Sequence, residues 1–294
     1  MSRSKRRGLV LGGGGPVGVA WEMGLALGLR EAGVDLARAD RIVGTSAGSL
    51  VGARLAAGHD LSGIAPRFAA ALPMPDGGLD RASLAAAFGP WNEAIRPEQM
   101  DAARRRQIGA AALAARTASP EAWAAAIDGL TGLAGWPEVD LRVTAVDIES
   151  GELCCFDRMS GVPLAGALAA SCCVPGMFPP VEINARFYMD GGIGSGTHAD
   201  RIGAEEDDFQ IIVVIAPMTD TTVPVGTCAE RFLEQESEAL RRACGDVVVV
   251  TPDDDDVAAF GAELMNPIRT QAAFERGHQR AAELARGSLR GWNG

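Results

Sequence analysis

The sequence predicts an α/β fold, a mostly parallel central sheet flanked by helices, with an Ala-rich helical cap insertion. The first observation is an opening alternation of two apolar, strand-like runs, at residues 7–12 and 40–44, with two helical runs, at residues 17–32 and 46–57. Such a βαβα opening is typical of a parallel sheet, because a helix must carry the chain back before the next parallel strand starts. The second observation is that strand-like runs resume after residue 140.

Local signals predict each element in turn. The first strand is the apolar run ahead of four glycines, and the first two helices end at Gly33 and Gly58, since glycine closes helices readily. Apolar runs predict five further strands, at residues 141–148, 152–156, 186–189, 210–216 and 246–251. Periodicity predicts two further helices, at residues 227–243 and 267–286. The acidic run at residues 253–256 is predicted to be a solvated helix start.

Residues 60–136 differ in composition from the rest of the chain. They are rich in alanine, are interrupted by six prolines and contain no strand-like run. We therefore predict a helical cap inserted into a single domain that spans residues 1–294. Residues 1–7 are predicted to be a basic arm, and the glycines and proline that interrupt the apolar run after it argue against a secretory signal.

Charge and hydropathy limit the partners. The formal net charge is −11, so a nucleic acid would meet a surface of its own sign, and no nucleic-acid partner is expected. The longest uncharged segment, residues 159–181, contains four prolines and does not predict a membrane span. We expect a cytoplasmic protein and leave open both its oligomeric state and a transient, peripheral contact with a membrane surface.

The cysteines and the lysine exclude several chemistries. Six cysteines occur as two adjacent pairs and two single residues, which fits neither the spacing of zinc sites nor a secreted disulfide framework. Reduced, mostly buried thiols are expected. Lys5 is the only lysine, which excludes a P-loop lysine or a Schiff-base lysine from a folded active site.

Two interpretations compete for the glycine-rich loop "GGGGPVG". Gly13, Gly15 and Gly18 match the G-x-G-x-x-G pattern between a strand and a helix, which is the dinucleotide-binding fingerprint. A dinucleotide site also requires an acidic residue at the end of the second strand, to hold the ribose. That strand instead ends in Thr45 and Ser46, so a nicotinamide-dependent oxidoreductase is kept only as the alternative.

The second strand leads into "GTSAG", the G-x-S-x-G pattern of a nucleophile elbow. In such an elbow a sharp strand-to-helix turn projects the serine hydroxyl, and Gly44 and Gly48 give the turn the space it requires. Ser46 is therefore the candidate nucleophile; the simpler alternative is that it only caps the following helix.

The glycine loop and the elbow both follow parallel strands, so they are expected at the same edge of the sheet, where such folds bind ligands. Amides of Gly14 and Gly15, with Gly13 as a further candidate, would then face the oxyanion that forms when Ser46 attacks a carbonyl. The loop is thus predicted to be an oxyanion hole.

A base for Ser46 is predicted at Asp190 in "FYMDGG", where Gly191 and Gly192 allow close approach and burial can raise the pKa of a carboxyl toward working pH. Asp76 occurs in a similar "PMPDGG" but is interpreted as a turn residue. A Ser46–Asp190–His198 triad is the alternative mechanism, because its order matches that of α/β hydrolases. Neither mechanism requires a metal or an organic cofactor.

Together, "GGGGPVG", "GTSAG", "AASCCVPGMFPPV" and "YMDGG" resemble, in order and setting, the motifs of the patatin-like phospholipases. The resemblance implies hydrolysis of lipid acyl esters by a Ser-Asp dyad without histidine, with Ser46 as nucleophile and Asp190 as base. It also implies a glycine-loop oxyanion hole and a lipid or small acyl-ester substrate. A non-catalytic lipid-binding protein of the same fold remains a further alternative.

The sequence departs from the family pattern at two places. The family's loop usually carries a basic residue just before its last glycine, where this chain has Val17. After the aspartate the family usually shows an Asn-x-Pro-like run, whereas here "IGSGTHAD" brings Ser195 and His198 near the site. The first departure weakens the case for a phospholipid substrate, and the second makes His198 a possible auxiliary residue.

Overall fold

A computed structural model gives the fold. It describes residues 6–61, 72–73, 81–93, 98, 100–203, 209–219, 224–244, 246–261 and 263–293. The described strands are β1 (Arg6–Leu11), β2 (Arg41–Gly44), β3 (Asp140–Asp147), β4 (Leu153–Phe156), β5 (Val181–Ile183), β6 (Arg186–Asp190), β7 (Phe209–Ile215) and β8 (Val247–Val250). The described helices are α1 (Gly15–Glu31), α2 (Ala47–Ala56), α3 (Arg81–Glu93), α4 (Ala102–Ala114), α5 (Pro120–Thr131), α6 (Leu164–Cys172), α7 (Pro224–Ala243), α8 (Asp254–Phe260) and α9 (Thr270–Arg286).

The strands of the described chain form one sheet in the order β5-β6-β3-β2-β1-β7-β8, with β4 also paired to β3. The five neighbouring strands β3-β2-β1-β7-β8 are parallel to one another. The strands β4, β5 and β6 are antiparallel to their neighbours. The register pairs Leu11, the last residue of β1, with Gly44 on one side and Ile215 on the other. The predicted α/β class with a mostly parallel sheet is confirmed, and the loops that follow β1 and β2 lie at one edge.

The first strand begins earlier than predicted. Arg6 and Arg7 belong to β1 rather than to a separate arm. The Arg7 amide donates to Asp40 Oδ2 at 2.7 Å, and its side-chain Nε donates to the Trp292 carbonyl at 2.7 Å. The charged start of the strand is therefore held by Asp40, just before β2, and by Trp292, near the C-terminal end of the described chain, while Lys5 lies outside the described residues.

Two elements of the structure, α6 and β5, were not predicted. The α6 sequence "LAGALAASC" is almost entirely small and apolar, so it has no polar face from which a helical period could be read. The helix is buried along most of its length, and β5 has only three residues. The predicted helix at residues 267–286 also divides into a short 3-10 turn and α9.

Close backbone contact joins α1 to α9. Gly24 and Gly28 lie one turn apart on α1, and Gly277 lies opposite them on α9. A Cβ built on Gly24 would be 2.1 Å from the Phe274 carbonyl oxygen, and one on Gly277 would be 2.4 Å from the Trp21 carbonyl oxygen. Since only glycine fits at such distances, α1 is held between the sheet and α9.

The acidic run starts a helix as predicted, but it is not fully solvated. Asp253 and Asp256 form a capping box at the start of α8, with amide-to-carboxylate distances of 2.8 and 3.0 Å. Asp256 is buried, accepts a hydrogen bond from Trp21 Nε1 at 3.0 Å and pairs with Arg280. Its carboxylate therefore links α8 to both α1 and α9.

The described part of residues 60–136 contains three helices, α3 to α5, and no strand. Trp123 of α5 stacks on Phe178, with ring centroids 4.1 Å apart, and donates from Nε1 to the Ala169 carbonyl at 3.0 Å. These contacts attach the helical segment to α6 and the loop after it. None of the helices in the described ranges is long and apolar enough to span a membrane.

Gly→Ala substitutions at a tightly packed and at an exposed helix position should have opposite effects on stability. Gly24→Ala should lower the free energy of unfolding by about 1–3 kcal/mol, because the new methyl group meets backbone that cannot rotate away. Gly129→Ala, at an exposed position of α5 where the new Cβ meets no atom of a neighbouring element within 4 Å, should raise it by about 0.5–1 kcal/mol. Urea unfolding measures both, and a Gly24→Ala protein as stable as the parent would contradict the packing described.

Candidate active site

Ser46 lies in a strained turn between β2 and α2. Its φ is +50° and its ψ is −116°, a conformation that residues other than glycine rarely adopt. A Cβ on Gly48 would be 2.1 Å from the Leu11 carbonyl oxygen, and one on Gly44 would be 2.5 Å from Ser49 Cα. The two glycines of "GTSAG" thus leave the space that the predicted elbow requires.

The Ser46 hydroxyl is directed at a carboxylate. Ser46 Oγ donates to Asp190 Oδ2 at 2.8 Å and makes no capping bond to α2, so the helix-cap alternative does not describe this side chain. The Ser46 amide donates to Ser171 Oγ at 2.9 Å, and its carbonyl accepts from Ser49 Oγ at 2.7 Å. Both backbone groups of the strained residue are therefore satisfied.

Asp190 lies at the end of β6, 4% exposed. Its Oδ1 accepts from the Gly192 amide at 2.7 Å, while a Cβ on Gly191 would be 2.5 Å from Thr144 Oγ1. Burial raises the pKa of Asp190 to about 7, and the hydrogen bonds from Gly192 and Ser46 offset part of that rise. A carboxyl with this pKa can accept and release a proton near neutral pH.

The glycine loop presents two free amides beside Ser46. Within the described residues, the Gly14 and Gly15 amides have no hydrogen-bond acceptor, and they lie at the N-terminal end of α1, where the helix dipole favours negative charge. Gly15 has a φ of +56°. Gly13 differs from the expectation, since its amide already donates to the Gly196 carbonyl at 2.8 Å. The loop geometry thus favours Gly14 and Gly15 over Gly13 as oxyanion donors.

His198 is buried close to Asp190 but hydrogen-bonds to neither Asp190 nor Ser46 within the described residues. Its Nε2 lies 2.8 Å from the Gly191 carbonyl oxygen, and across the described residues no hydrogen bond joins it to Ser46 or Asp190. Burial lowers its pKa. The structure therefore brings the three residues of the alternative triad into one region without assembling the triad.

An apolar pocket adjoins the nucleophile. It lies next to Gly15 and Ser46 and is otherwise lined by uncharged side chains: Pro16, Ala47, Leu72, Trp123, Cys172, Val174, Phe178 and Met265. Its volume is only about 10 Å³. A larger cavity of about 290 Å³ is lined by residues 136–142 and 157–159, around the start of β3 and so at the opposite edge of the sheet. Of these two cavities, the smaller is the one that adjoins Ser46.

Two buried residues, Ser171 and Glu22, were not among the residues predicted from the sequence. Ser171 gave no signal, because it lies in the featureless run that forms α6. Glu22 did give one, as a lone acidic residue in the apolar helical run "VAWEMGLAL". It is fully buried, neither carboxylate oxygen has a hydrogen-bond partner in the described chain, and burial raises its pKa well above the usual value.

The cysteines and the remaining residues singled out in the sequence form no further site within the described residues. All six cysteines are free, and four of them are buried. Asp76 lies outside the described residues. The His, Cys, Asp and Glu side chains that are described form no group of three or more able to hold a metal ion. Val17 is buried, and its amide donates to the Leu264 carbonyl at 3.2 Å.

Three proteins described as uncharacterized NTE family proteins, one from Mycobacterium bovis and two from strains of Mycobacterium tuberculosis, are each 29% identical to this chain over 194 residues. The match covers 65% of this chain and 44% of each relative, so the chain spans less than half the length of these relatives.

Solved structures that match this chain include VipD from Legionella pneumophila and the type III effector protein ExoU. VipD has a TM-score of 0.45 and 14% identity, and the match covers 97% of this chain and 67% of VipD. ExoU has a TM-score of 0.39 and 16% identity, with 98% and 53% covered.

The family model of the patatin-like phospholipases matches residues 9–200. That range extends from β1 through the elbow and β6, and therefore contains the glycine loop, Ser46 and Asp190. The chain belongs to the patatin-like phospholipase family.

Proposed function

We propose that this chain hydrolyses acyl esters of lipids, with Ser46 as the nucleophile and Asp190 as the base. The observation that carries the proposal is the 2.8 Å hydrogen bond from Ser46 Oγ to Asp190 Oδ2 at a strained strand-to-helix turn. Family membership supports the lipid substrate. The dinucleotide alternative has no comparable support, since β2 ends without the acidic residue that would hold a ribose.

In the first half of the reaction Asp190 accepts the Ser46 hydroxyl proton as Ser46 Oγ bonds to the ester carbonyl carbon. A pKa of about 7 suits this role, because a large share of Asp190 is ionised at neutral pH and yet remains basic enough to accept the proton. The negative charge that develops on the carbonyl oxygen is stabilised by the Gly14 and Gly15 amides.

Collapse of the tetrahedral intermediate expels the alcohol, which takes the proton from Asp190 and leaves the acyl group on Ser46. In the second half Asp190 accepts a proton from water as the water oxygen attacks the acyl carbon. The carboxylic acid then leaves, and Ser46 regains its proton. No metal or organic cofactor takes part in this scheme.

The apolar pocket supports an acyl chain as the group held beside Ser46. Its lining includes the stacked pair of Trp123 and Phe178 together with Met265, and none of the lining side chains is charged. Burial of methylene groups against such a surface stabilises binding by about 0.8 kcal/mol each. The pocket must widen to admit a chain, because about 10 Å³ accommodates little more than one water molecule.

The proposal is tested first by labelling with a fluorophosphonate. We expect Ser46 to be the only serine labelled, because only a hydroxyl next to a base and oxyanion donors reacts rapidly. The label is located by peptide mass spectrometry, with Ser46→Ala as the control. Fatty acids released from a mixed lipid extract then identify the substrate.

Labelling that persists in Ser46→Ala would contradict the assignment of the nucleophile. A folded parent protein that binds lipid but neither labels nor releases fatty acid would instead support the non-catalytic alternative.

Asp190 should set both the rate and its pH dependence. Below pH 7 protonation removes the base, so acylation should fall about tenfold per pH unit, and above pH 7 it should level off. Asp190→Asn keeps the shape but cannot take the proton, and should lose ~10³-fold or more. Single-turnover acylation by a short-chain p-nitrophenyl ester measures both effects.

His198→Ala separates the dyad from the triad. Since His198 bonds to the Gly191 carbonyl and not to the dyad, its loss should change acylation less than about tenfold and leave the midpoint near pH 7. A loss greater than that of Asp190→Asn would make histidine the direct base.

The two free amides predict a difference between neighbouring glycines. A Cβ on Gly14 would be 2.8 Å from Gly18 Cα, so Gly14→Ala should displace the loop and lower the acylation rate by ~10²-fold. Gly18→Ala is the matched control, because its new Cβ meets nothing closer than 3.5 Å. Both are compared with the parent after thermal melts have verified folding, and equal activity of all three would contradict the assignment of the oxyanion donors.

A further inference from the structure

Glu236 of α7 accepts hydrogen bonds from three groups of one short turn, residues 195–199. Its Oε1 accepts from Ser195 Oγ at 2.6 Å, and its Oε2 accepts from Thr197 Oγ1 at 2.6 Å and from the Ala199 amide at 2.7 Å. Hydroxyl-to-carboxylate distances this short are typical of charge-assisted bonds, which are about twice as strong as neutral ones. One carboxylate therefore joins the first, third and fifth residues of the turn.

The same turn contacts the glycine loop, the "GTSAG" elbow and the "YMDGG" segment of the proposed active site. The Gly196 carbonyl accepts from the Gly13 amide of the glycine loop at 2.8 Å. The Thr197 carbonyl accepts from Thr45 Oγ1, next to the nucleophile, at 3.3 Å. The third contact is the hydrogen bond between the His198 ring and the Gly191 carbonyl, next to the base.

This arrangement explains why the Gly13 amide is not free. The bond to Gly196 fixes the glycine loop one residue before the Gly14 and Gly15 amides, which have no acceptor within the described residues. A shift of the turn would therefore move the oxyanion donors relative to the nucleophile. Misplacement of catalytic groups by about 1 Å is enough to cost on the order of 10²-fold in rate.

We propose that Glu236 is a positioning residue for catalysis, which holds the 195–199 turn and so sets the oxyanion loop against Ser46. The inference rests on the proposed function, since it concerns the rate of the same reaction. Glu236 touches neither Ser46 nor Asp190 and acts only through the turn.

The choice of residue at position 236 fits this role. Two carboxylate oxygens accept three bonds here, whereas a glutamine has one acceptor oxygen and an NH₂ group that can only donate. Burial raises the pKa of Glu236 to about 7, and the bonds from Ser195, Thr197 and Ala199 oppose that rise. The three donors thus stabilise the ionised carboxylate, while burial, which has the larger effect, favours the protonated form.

The test compares Glu236→Ala and Glu236→Gln with Glu238→Ala. Glu238 lies on the same helix, and its exposed pair with Arg242 contributes little to stability. Each protein is labelled to completion with a fluorophosphonate to count competent sites, and kcat and KM for p-nitrophenyl butyrate are expressed per labelled site. The rate of labelling is measured separately.

We expect Glu236→Ala to lower kcat per labelled site and the labelling rate by ~30-fold or more, with KM changed less than about threefold. Glu236→Gln should fall between Glu236→Ala and the parent, because its amide oxygen still accepts from the turn. Glu238→Ala should equal the parent. If Glu236→Ala only reduces the number of labelled sites and leaves kcat per site unchanged, its role is structural and the proposal is wrong.

A second comparison applies if Glu236→Ala does not fold. Thr197→Val removes one donor to the carboxylate and should cost less in kcat on the Glu236→Gln background than on the parent background. Equal costs on both backgrounds would overturn the proposal. A folded parent protein that is not labelled at all would instead overturn the proposed function, so the two failures are distinguishable.

Discussion

The positive φ of Ser46 is the constraint on which the arrangement of the active-site region depends. A non-glycine residue in this conformation costs on the order of 1–3 kcal/mol, so its surroundings must hold it there. Ser171 Oγ accepts its amide hydrogen, and Ser49 Oγ donates to its carbonyl. The Gly48 amide also bonds to the Gly12 carbonyl, which ties the turn to the glycine loop. The elbow is therefore stabilised by α6 and by the end of β1 as well as by its own helix.

The carboxyl groups of Asp190, Glu236 and Glu22 differ in the number of hydrogen bonds that they accept. Asp190 has two donors, Glu236 has three, and Glu22 has none within the described residues. Burial raises the pKa of each. Between pH of about 4 and the raised values, the folded protein keeps protons that the unfolded chain has lost, so stability falls as the pH rises. The raised pKa values therefore lower stability in that pH range, and those of Asp190 and Glu236 place their protonation near neutrality.

The sequence predicted those parts of the fold and site that local patterns determine. The opening βαβα unit, the parallel sheet and the nucleophile elbow follow from apolar runs and from glycines whose positions the backbone requires. The sequence did not reveal α6, because a helix of small apolar residues shows no period, and with it Ser171 was missed. It also could not show that the Gly13 amide is occupied, since its acceptor lies 183 residues away at Gly196. Long-range hydrogen bonds of this kind become visible only when the sheet order is known.

Under the proposed function, recognition of the ester depends on amides and apolar contacts. The glycine loop has Val17 where the family usually has a basic residue, and Val17 is buried with its amide bonded to the Leu264 carbonyl. Met265, which follows Leu264, lines the pocket beside Ser46. A Cβ built on Gly15 would lie 2.6 Å from the Met265 sulfur. The segment that carries Leu264 and Met265 thus packs against the loop. Because Val17 offers a phosphate no charge, the free amides of Gly14 and Gly15 are left to bind the polar end of the substrate, while the uncharged lining binds its chain.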